Sequence, residues 1–488
     1  MKITRGGRLS GDLTGDVARL TSSSAHDHYI ADDVIEINQA HLLALLKAGL
    51  VTNAEAKAIA SALSGMLGKV SSVPPDMEDI HMVIEEELIR RVGPDVGGKI
   101  HTGKSRNDQV ATALRMRLRR FLVEICGELA ALQSALIDRA EAEASTLMPG
   151  FTHLQHAQPV TVGHYLLAHS EMHSRSMSRL LECLRRVNLS PMGSAALAGT
   201  GFRIDRSILA EYLGFDGVLE NTIDAVSSRD FALEAASALS IMMLDLGRMM
   251  EEIIVWSSLE YGYVEVPDDH SSTSSIMPQK KNAVTAEMIR AKAGETVGSF
   301  NAIAMVMKGL PLAYNLDMQD ATPPLWRACE SAALSLRVAA DLVRKLKFNS
   351  PRLNNAVRED FSVATELADL LVREGALPFR SSHRIVGSIV RDLVSASTTL
   401  SEVPAEKLCE MIEEKARVRI PPASVAAAVD PARNVADKPT RGGPAPGEIA
   451  RMAKEQRGAL SSAISTLDSF KLREAKRLSL LRSALSSL

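Results

Sequence analysis

From Val110 to Ser145, apolar side chains recur at Leu114, Leu118, Phe121, Leu122, Ile125, Leu129, Leu132 and Leu136, with Arg and Glu between them. Steps of three and four put them on one face of an α-helix. No proline interrupts the run, and the single Gly127 is tolerable at modest cost. At ~1.5 Å per residue such a helix spans roughly 50 Å. Four similar runs follow: Val162–Leu189, Asp230–Leu259 (with Met242, Met243, Met249, Met250, Ile253 and Ile254), Ala283–Met307 and Leu325–Leu346. Several long helices predict an all-α fold built on an elongated bundle. Their stripes are read as core or subunit interface.

Polar, Gly- and Pro-bearing segments separate the runs: Gly93–Asp108, Gly150–Thr161, Ser190–Arg206, Pro267–Lys281 and Gly309–Pro324. These are loop candidates, where function concentrates. Six of the 20 prolines fall in Pro421–Pro446, which reads as a linker or irregular segment. The closing stretch FKLREAKRLSLLRSALSSL reads as a solvated basic helix face.

The 488 residues are 46% hydrophobic and 24% charged, enough for a large core and too apolar for wholesale disorder. Aromatics at 4% argue against a β-sandwich or barrel. With 56 Lys+Arg against 59 Asp+Glu, the net charge of -3 argues against a nucleic-acid partner. A local cationic pocket for a small anion remains compatible with it. Cys126, Cys183, Cys329 and Cys409 have neither CxxC spacing nor zinc-ligand partners, so a reduced, cytoplasmic chain is expected. The N-terminus has no apolar signal region, and no run of ~18 apolar residues predicts a membrane span.

GKIHTGKS (Gly98–Ser105) fits the Walker A pattern of a P-loop NTPase. The stretch before it, DIHMVIEEELIRRVG, has a helical period where that motif needs a buried strand, and no Walker B partner is evident. The motif is therefore read as a decoy.

SSTSSIMPQKKN (Ser271–Asn282) concentrates hydroxyls, two lysines and an asparagine ahead of a helix. A serine beside cations and an amide is a candidate nucleophile or base next to an anion holder. The segment resembles the signature loop of the fumarase/aspartase superfamily, whose members reversibly eliminate fumarate from a C4 dicarboxylate. HTGKSRNDQVAT (His101–Thr112) and GFTHLQHAQPVTVGHYLLAH (Gly150–His169) resemble the first two signature regions of argininosuccinate lyases. GLPLAYNLDMQD (Gly309–Asp320) resembles the substrate-binding stretch between the central helices. SRNDQVAT and HLQHAQPVT together point to the argininosuccinate lyase branch. The resemblance implies an all-α architecture: a central long-helix bundle (110–365) between smaller helical N-terminal (1–109) and C-terminal (366–488) domains.

The implied reaction is β-elimination of argininosuccinate to arginine and fumarate, the last step of arginine biosynthesis, with no cofactor. A proton leaves the carbon next to a carboxylate and the guanidinium nitrogen leaves its neighbour. The site needs a base, donors at the carboxylate and an acid near the nitrogen. By the family motif Ser274 is the base. Lys280 and Asn282 hold the carboxylate, and the lysine charge favours the serine alkoxide. His153 is the general acid or orients one, and Glu287 pairs with it. Ser105, Arg106, Asn107, Thr152, Tyr314 and Gln319 bind other substrate groups, and Arg229 meets a carboxylate. Ser23 and Asp27 hold the α-amino and α-carboxylate end, and His81 supports the site. In the family these regions come from different subunits, which implies a homotetramer with shared sites. The Ser271–Lys281 loop is expected to close over substrate. His156, His164, His169 and His173 are read as packing or surface residues, and no metal site is expected.

The chain departs from the family pattern at Thr273 and Ala283, where many relatives have Gly and Pro, at Leu316, where Lys or Arg is usual, and at Lys104, where Arg is. A related fumarate-releasing lyase with another succinyl substrate is the alternative reading. A structural protein with a dead site is opposed by the presence of Ser274, Lys280, Asn282 and His153.

Overall fold

The computed structural model describes residues 15–70, 72–74 and 77–488. Its centre is five helices: α1 (Arg106–Ala142), α2 (Val162–Val187), α3 (Asp230–Trp256), α4 (Val284–Met307) and α5 (Thr322–Lys345). α1 packs on α2 and α5, α3 on α2 and α4, and α4 on α5. All eight apolar residues of the α1 stripe are buried. The fold is all-α, its strands confined to short two-stranded ladders among the described residues. No helix among those residues is long and apolar enough to cross a membrane.

The first helix begins where it does because Ser105 and Asp108 form a capping box. Ser105 Oγ accepts from Asn107 N at 3.3 Å, and Asp108 Oδ1 accepts from Ser105 N at 3.0 Å. The other oxygen of Asp108 accepts from Gly193 N (3.1 Å) and Ala195 N (2.8 Å), fastening the 190–206 loop to the helix start.

Between α1 and α2 the expected loop is an antiparallel hairpin, β1 (Leu147–Thr152) and β2 (Gln155–Thr161). Its two tip residues, His153 and Leu154, both have positive φ, 55° and 57°. Two-residue hairpin turns that match strand twist need that handedness, and non-glycine residues adopt it against a steric penalty. Gly163 seats the hairpin's base. A Cβ there would lie 2.4 Å from the Ala140 carbonyl oxygen, so glycine lets α2 lean on the end of α1.

A sixth long helix, α6 (Pro446–Ser486), packs along α1 and α2. Ile449, Ala453, Leu460, Leu467, Phe470 and Leu481 join it to the apolar core of the bundle, although it falls beyond the 366 division. A second, smaller core is built within Val363–Val429. The proline-rich segment is irregular, as expected, over 437–445, but it is not merely a linker. Pro422, Pro431 and Pro446 open helices Pro422–Val429, Pro431–Ala436 and α6. First-turn N–H groups have no partner within a helix, so proline is at home there.

Nor is the basic closing stretch a purely solvated face. Arg477 is buried and meets Glu36 at 3.2 Å and Glu474 at 3.6 Å. Arg120 reaches Asp33 (2.8 Å), Glu36 (2.9 Å) and Glu474 (3.2 Å), while Arg119 lies 3.8 Å from Glu474. Three guanidiniums and three carboxylates thus join α6 and α1 to helix Ala31–Lys47. The Walker-like segment is a 3-10 turn (Gly98–His101) after helix Ile80–Val92, not after a strand. Lys104 is buried and bonded to Asn38, and burial pushes its ammonium down to about 8.

His41 and His173, both buried, each contribute stability that is lost in acid. Burial pushes His41 and His173 down to about 3. In the unfolded chain they titrate near ~6.5. Below that pH the unfolded chain binds protons that the folded one does not, so stability is lost as pH falls from ~6.5 towards the folded value, by about 2 kcal/mol per histidine at pH 5. Asp27, Asp33 and Asp108, each raised to about 6 by burial, act in the opposite sense as pH falls below that value. His173→Met is therefore expected to shrink the stability loss between pH 7 and pH 5 by about 2 kcal/mol in denaturant titrations. An unchanged loss would place the acid sensitivity elsewhere.

Candidate active site

Where α1 and α3 begin and α4 connects to α5, a cleft of about 510 Å³ opens. Eight of the residues expected to bind substrate line it: Ser23, Asp27, His81, Arg106, Asn107, Arg229, Tyr314 and Gln319. Asp79 organises much of this wall. It caps helix Ile80–Val92 by accepting from Met82 N at 2.7 Å, and it pairs with the Arg106 guanidinium. Asp27 accepts from Ser23 Oγ at 2.8 Å and Ile80 N at 2.9 Å. Burial raises its carboxyl to about 6 in spite of both bonds.

Arg229 is 2% exposed. Its Nη1 donates to the carbonyls of Ser228 (2.8 Å) and Val226 (3.3 Å), while Nε and Nη2 have no partner among the described residues. Burial lowers the guanidinium to about 10, which leaves it charged at neutral pH. Buried donors of this kind carry a desolvation penalty that a carboxylate would relieve. Burial raises the Tyr314 phenol, keeping it a neutral donor. His81 is also buried, both ring nitrogens without a partner among the described residues, and burial holds it well below the usual imidazole range, with Arg106, Lys104 and His101 adding to the effect. Asn107 donates to Ala196 O and Gln319 to Thr21 O. Leu316 stands on the cleft wall, 45% exposed. Ser105 is the exception among the first signature residues: it is a helix cap and does not line the cleft.

The residues expected to carry out the elimination lie at the other end. The 37 residues of α1 separate the cleft from the β1–β2 hairpin, about 55 Å along the axis. Thr152 and His153 are exposed at the hairpin tip. Phe151 braces the hairpin, its ring 6.0 Å from Tyr261 and 6.3 Å from Tyr263. His156, expected to be packing or surface, is a second brace. It pairs with Asp360 and lies 3.3 Å from the Tyr263 hydroxyl.

At the same end, β3 (Ser272–Thr273) pairs with β4 (Lys281–Asn282) and leaves Ser274–Lys280 as the tip of a small hairpin. Thr273 pairs with Lys281 in this ladder, where a β-branched residue fits and glycine's freedom is not required. Ser274 Oγ accepts backbone N–H bonds from Met277 (3.1 Å) and Ile276 (3.3 Å). Two such donors favour the ionised hydroxyl. Lys280 and Glu287 are exposed, and Asn282 is half-buried. Glu287 and His153 do not pair within one chain. A single chain therefore gathers eight of the ten residues expected to bind substrate in its cleft and holds Thr152, His153, Ser274, Lys280 and Asn282 a bundle's length away. Sequence reasoning missed Asp79 as the partner of Arg106. Its signal was an acidic residue directly before an apolar periodic run, the pattern of a helix cap.

A family model described as lyase matches residues 11–298. The solved structure of EDDS lyase in complex with formate superposes with a TM-score of 0.87 at 27% identity, covering 99% of this chain and 97% of that one. Class II fumarase from Schistosoma mansoni shares the fold at a TM-score of 0.72 and 18% identity, over 86% and 92% of the two chains. The long-helix bundle is that of a fumarase/aspartase-type lyase. Residues 361–436 match the model described as argininosuccinate lyase C-terminal. Argininosuccinate lyase of Methanothrix thermoacetophila is 44% identical over 473 residues, 95% of either chain, and that of Methanocaldococcus jannaschii 40% over 457 residues, 93% of either. The chain belongs to the argininosuccinate lyase family.

Proposed function

We propose that this protein cleaves argininosuccinate reversibly to arginine and fumarate, the last step of arginine biosynthesis, as a cytoplasmic homotetramer whose sites draw on more than one subunit. One observation carries the reading: the residues expected for binding and for elimination are all present, but eight of the binding set stand at the opposite end of the bundle from Thr152, His153, Ser274, Lys280 and Asn282. A second copy packed antiparallel would bring one end to the other. Exposed apolar residues support such packing: Leu154 and Ile276 beside the two tips, and Leu244, Met288, Met305 and Leu334 along α3, α4 and α5.

In the composite site Arg229 holds one substrate carboxylate. The Ser274 alkoxide, favoured by its two backbone donors and by Lys280, takes the proton from the carbon beside a carboxylate. The charge that develops there is received by Lys280 and Asn282. The electron pair then forms the carbon–carbon double bond and expels the guanidinium nitrogen, which His153 helps to protonate.

The test is a coupled pair of measurements on the purified protein. Fumarate absorbance should rise with argininosuccinate, with kcat/KM at least about 100-fold above adenylosuccinate, aspartate or malate, since a site built around buried donors rejects analogues that leave them unpaired. Native mass should correspond to four chains. No fumarate from argininosuccinate at any pH tested would overturn the assignment.

A further inference from the structure

Beneath the Ser274 loop lies a polar cluster that the reaction chemistry does not use. His270 is 5% exposed. Its Nε2 lies 2.9 Å from Asp341 Oδ2 in the last turns of α5, and its Nδ1 lies 3.3 Å from Thr285 Oγ1 at the head of α4. Thr285 Oγ1 in turn donates to the His270 carbonyl at 3.2 Å. Lys345 donates to Asp341 (2.6 Å) and to Asp269 (2.5 Å), and Lys281 to Asp268 (2.7 Å).

Asp269, His270 and Asp341 come close enough together to hold a metal ion. An ammonium already bridges the two carboxylates, however, so the cluster carries its own cation. The result is a latch. Both feet of the loop, Asp268–Ser271 and Lys281–Thr285, are tied to each other, and the first is tied to α5. The tip is bonded differently: among the described residues Ser274 Oγ accepts only from Ile276 and Met277, and Lys280 N donates to Met277 O. Ile276 is 83% exposed.

We propose that His270 and Asp341 are positioning residues that fix the feet of this loop, so that only the 274–280 tip moves and Ser274 Oγ arrives at one place. The proposal rests on Ser274 being the base. The latch sits on rigid helices α4 and α5, as accurate placement of a reacting atom requires.

The experiment compares Asp341→Ala, Asp341→Glu and His270→Gln in the full-length protein. Loosened feet misplace the base during chemistry and leave the cleft of Arg229 untouched. Asp341→Ala and His270→Gln are expected to lower kcat by about tenfold or more with KM for argininosuccinate within about twofold, and Asp341→Glu to recover most of the loss. Trypsin nicking after Lys280 or Lys281 in the native protein should speed up by about fivefold in the first two variants, because cleavage there reads local opening. Unchanged kcat, a loss carried by KM, or unchanged nicking in both variants would overturn the latch. If Ser274→Ala keeps its turnover, the base assignment fails by itself, and the nicking rates still decide whether the feet are held.

Discussion

On the proposed base role, replacing Ser274 with alanine is expected to lower kcat by about 10²–10⁴-fold, the range for loss of a general base, while the chain stays folded and assembled. The hydroxyl is half-buried and, among the described residues, bonded only to backbone N–H groups of its own loop. Those donors can turn to solvent when it is gone, so the change falls on chemistry and not on stability. Fumarate release and native mass, measured together, check both halves of the expectation. Near-normal turnover would take Ser274 out of the base role. Mixing also separates the composite site from a single-chain site. Inactive Ser274→Ala chains co-assembled with inactive Arg229→Ala chains should regain part of the activity, because some hybrid sites then contain both wild-type residues. Hybrids as inactive as their parents would count against shared sites.

Arg120→Ala should cost about 3–5 kcal/mol of stability, the usual effect of breaking a buried ion pair from one side. Among the described residues Arg120 is the one cation within 4 Å of Asp33, which is 1% exposed, and it also touches Glu36 and Glu474. Removing it leaves a buried carboxylate without its partner, and the surplus negative charge loosens α6 from α1. Replacing Arg120 with Met and Asp33 with Leu together should recover much of the loss, since a well-packed apolar pair removes the desolvation penalty along with the attraction. Thermal and denaturant midpoints of the two variants decide the point. Equal destabilisation of single and double variants would show that packing, and not charge, dominates at this position.

The bundle could be read from spacing alone because a long helix buried on one face repeats its signal many times. All eight residues of the α1 stripe are buried. Features that depend on a distant partner or on local backbone chemistry were harder to see. The hairpin at 147–161 hides behind tip residues, His153 and Leu154, that carry none of the usual glycine or asparagine turn signal. The closing basic stretch looked solvated because Glu36, the partner of Arg477, is remote in sequence. Pro422, Pro431 and Pro446 suggested a linker because first-turn proline and loop proline look alike without the helix that follows.

Within the site, eight residues that the family motif marks for binding line one cleft, while Ser105 in the same motif caps α1 outside it. Short polar motifs serve caps and ligands with the same side chains, and only coordinates separate the two uses. The braces His156–Asp360 and His270–Asp341 were invisible for a related reason: each joins residues far apart in the chain.

The distance between the cleft and the two elimination tips has a consequence for how the protein is regulated by its own abundance. On the proposed assembly a lone subunit is folded but incompetent, so catalytic output rises more steeply than linearly with the amount of chain near the dissociation threshold. Partially synthesised or dilute protein is then silent by default, and a lesion at either tip in one copy is confined to the sites that copy helps to build.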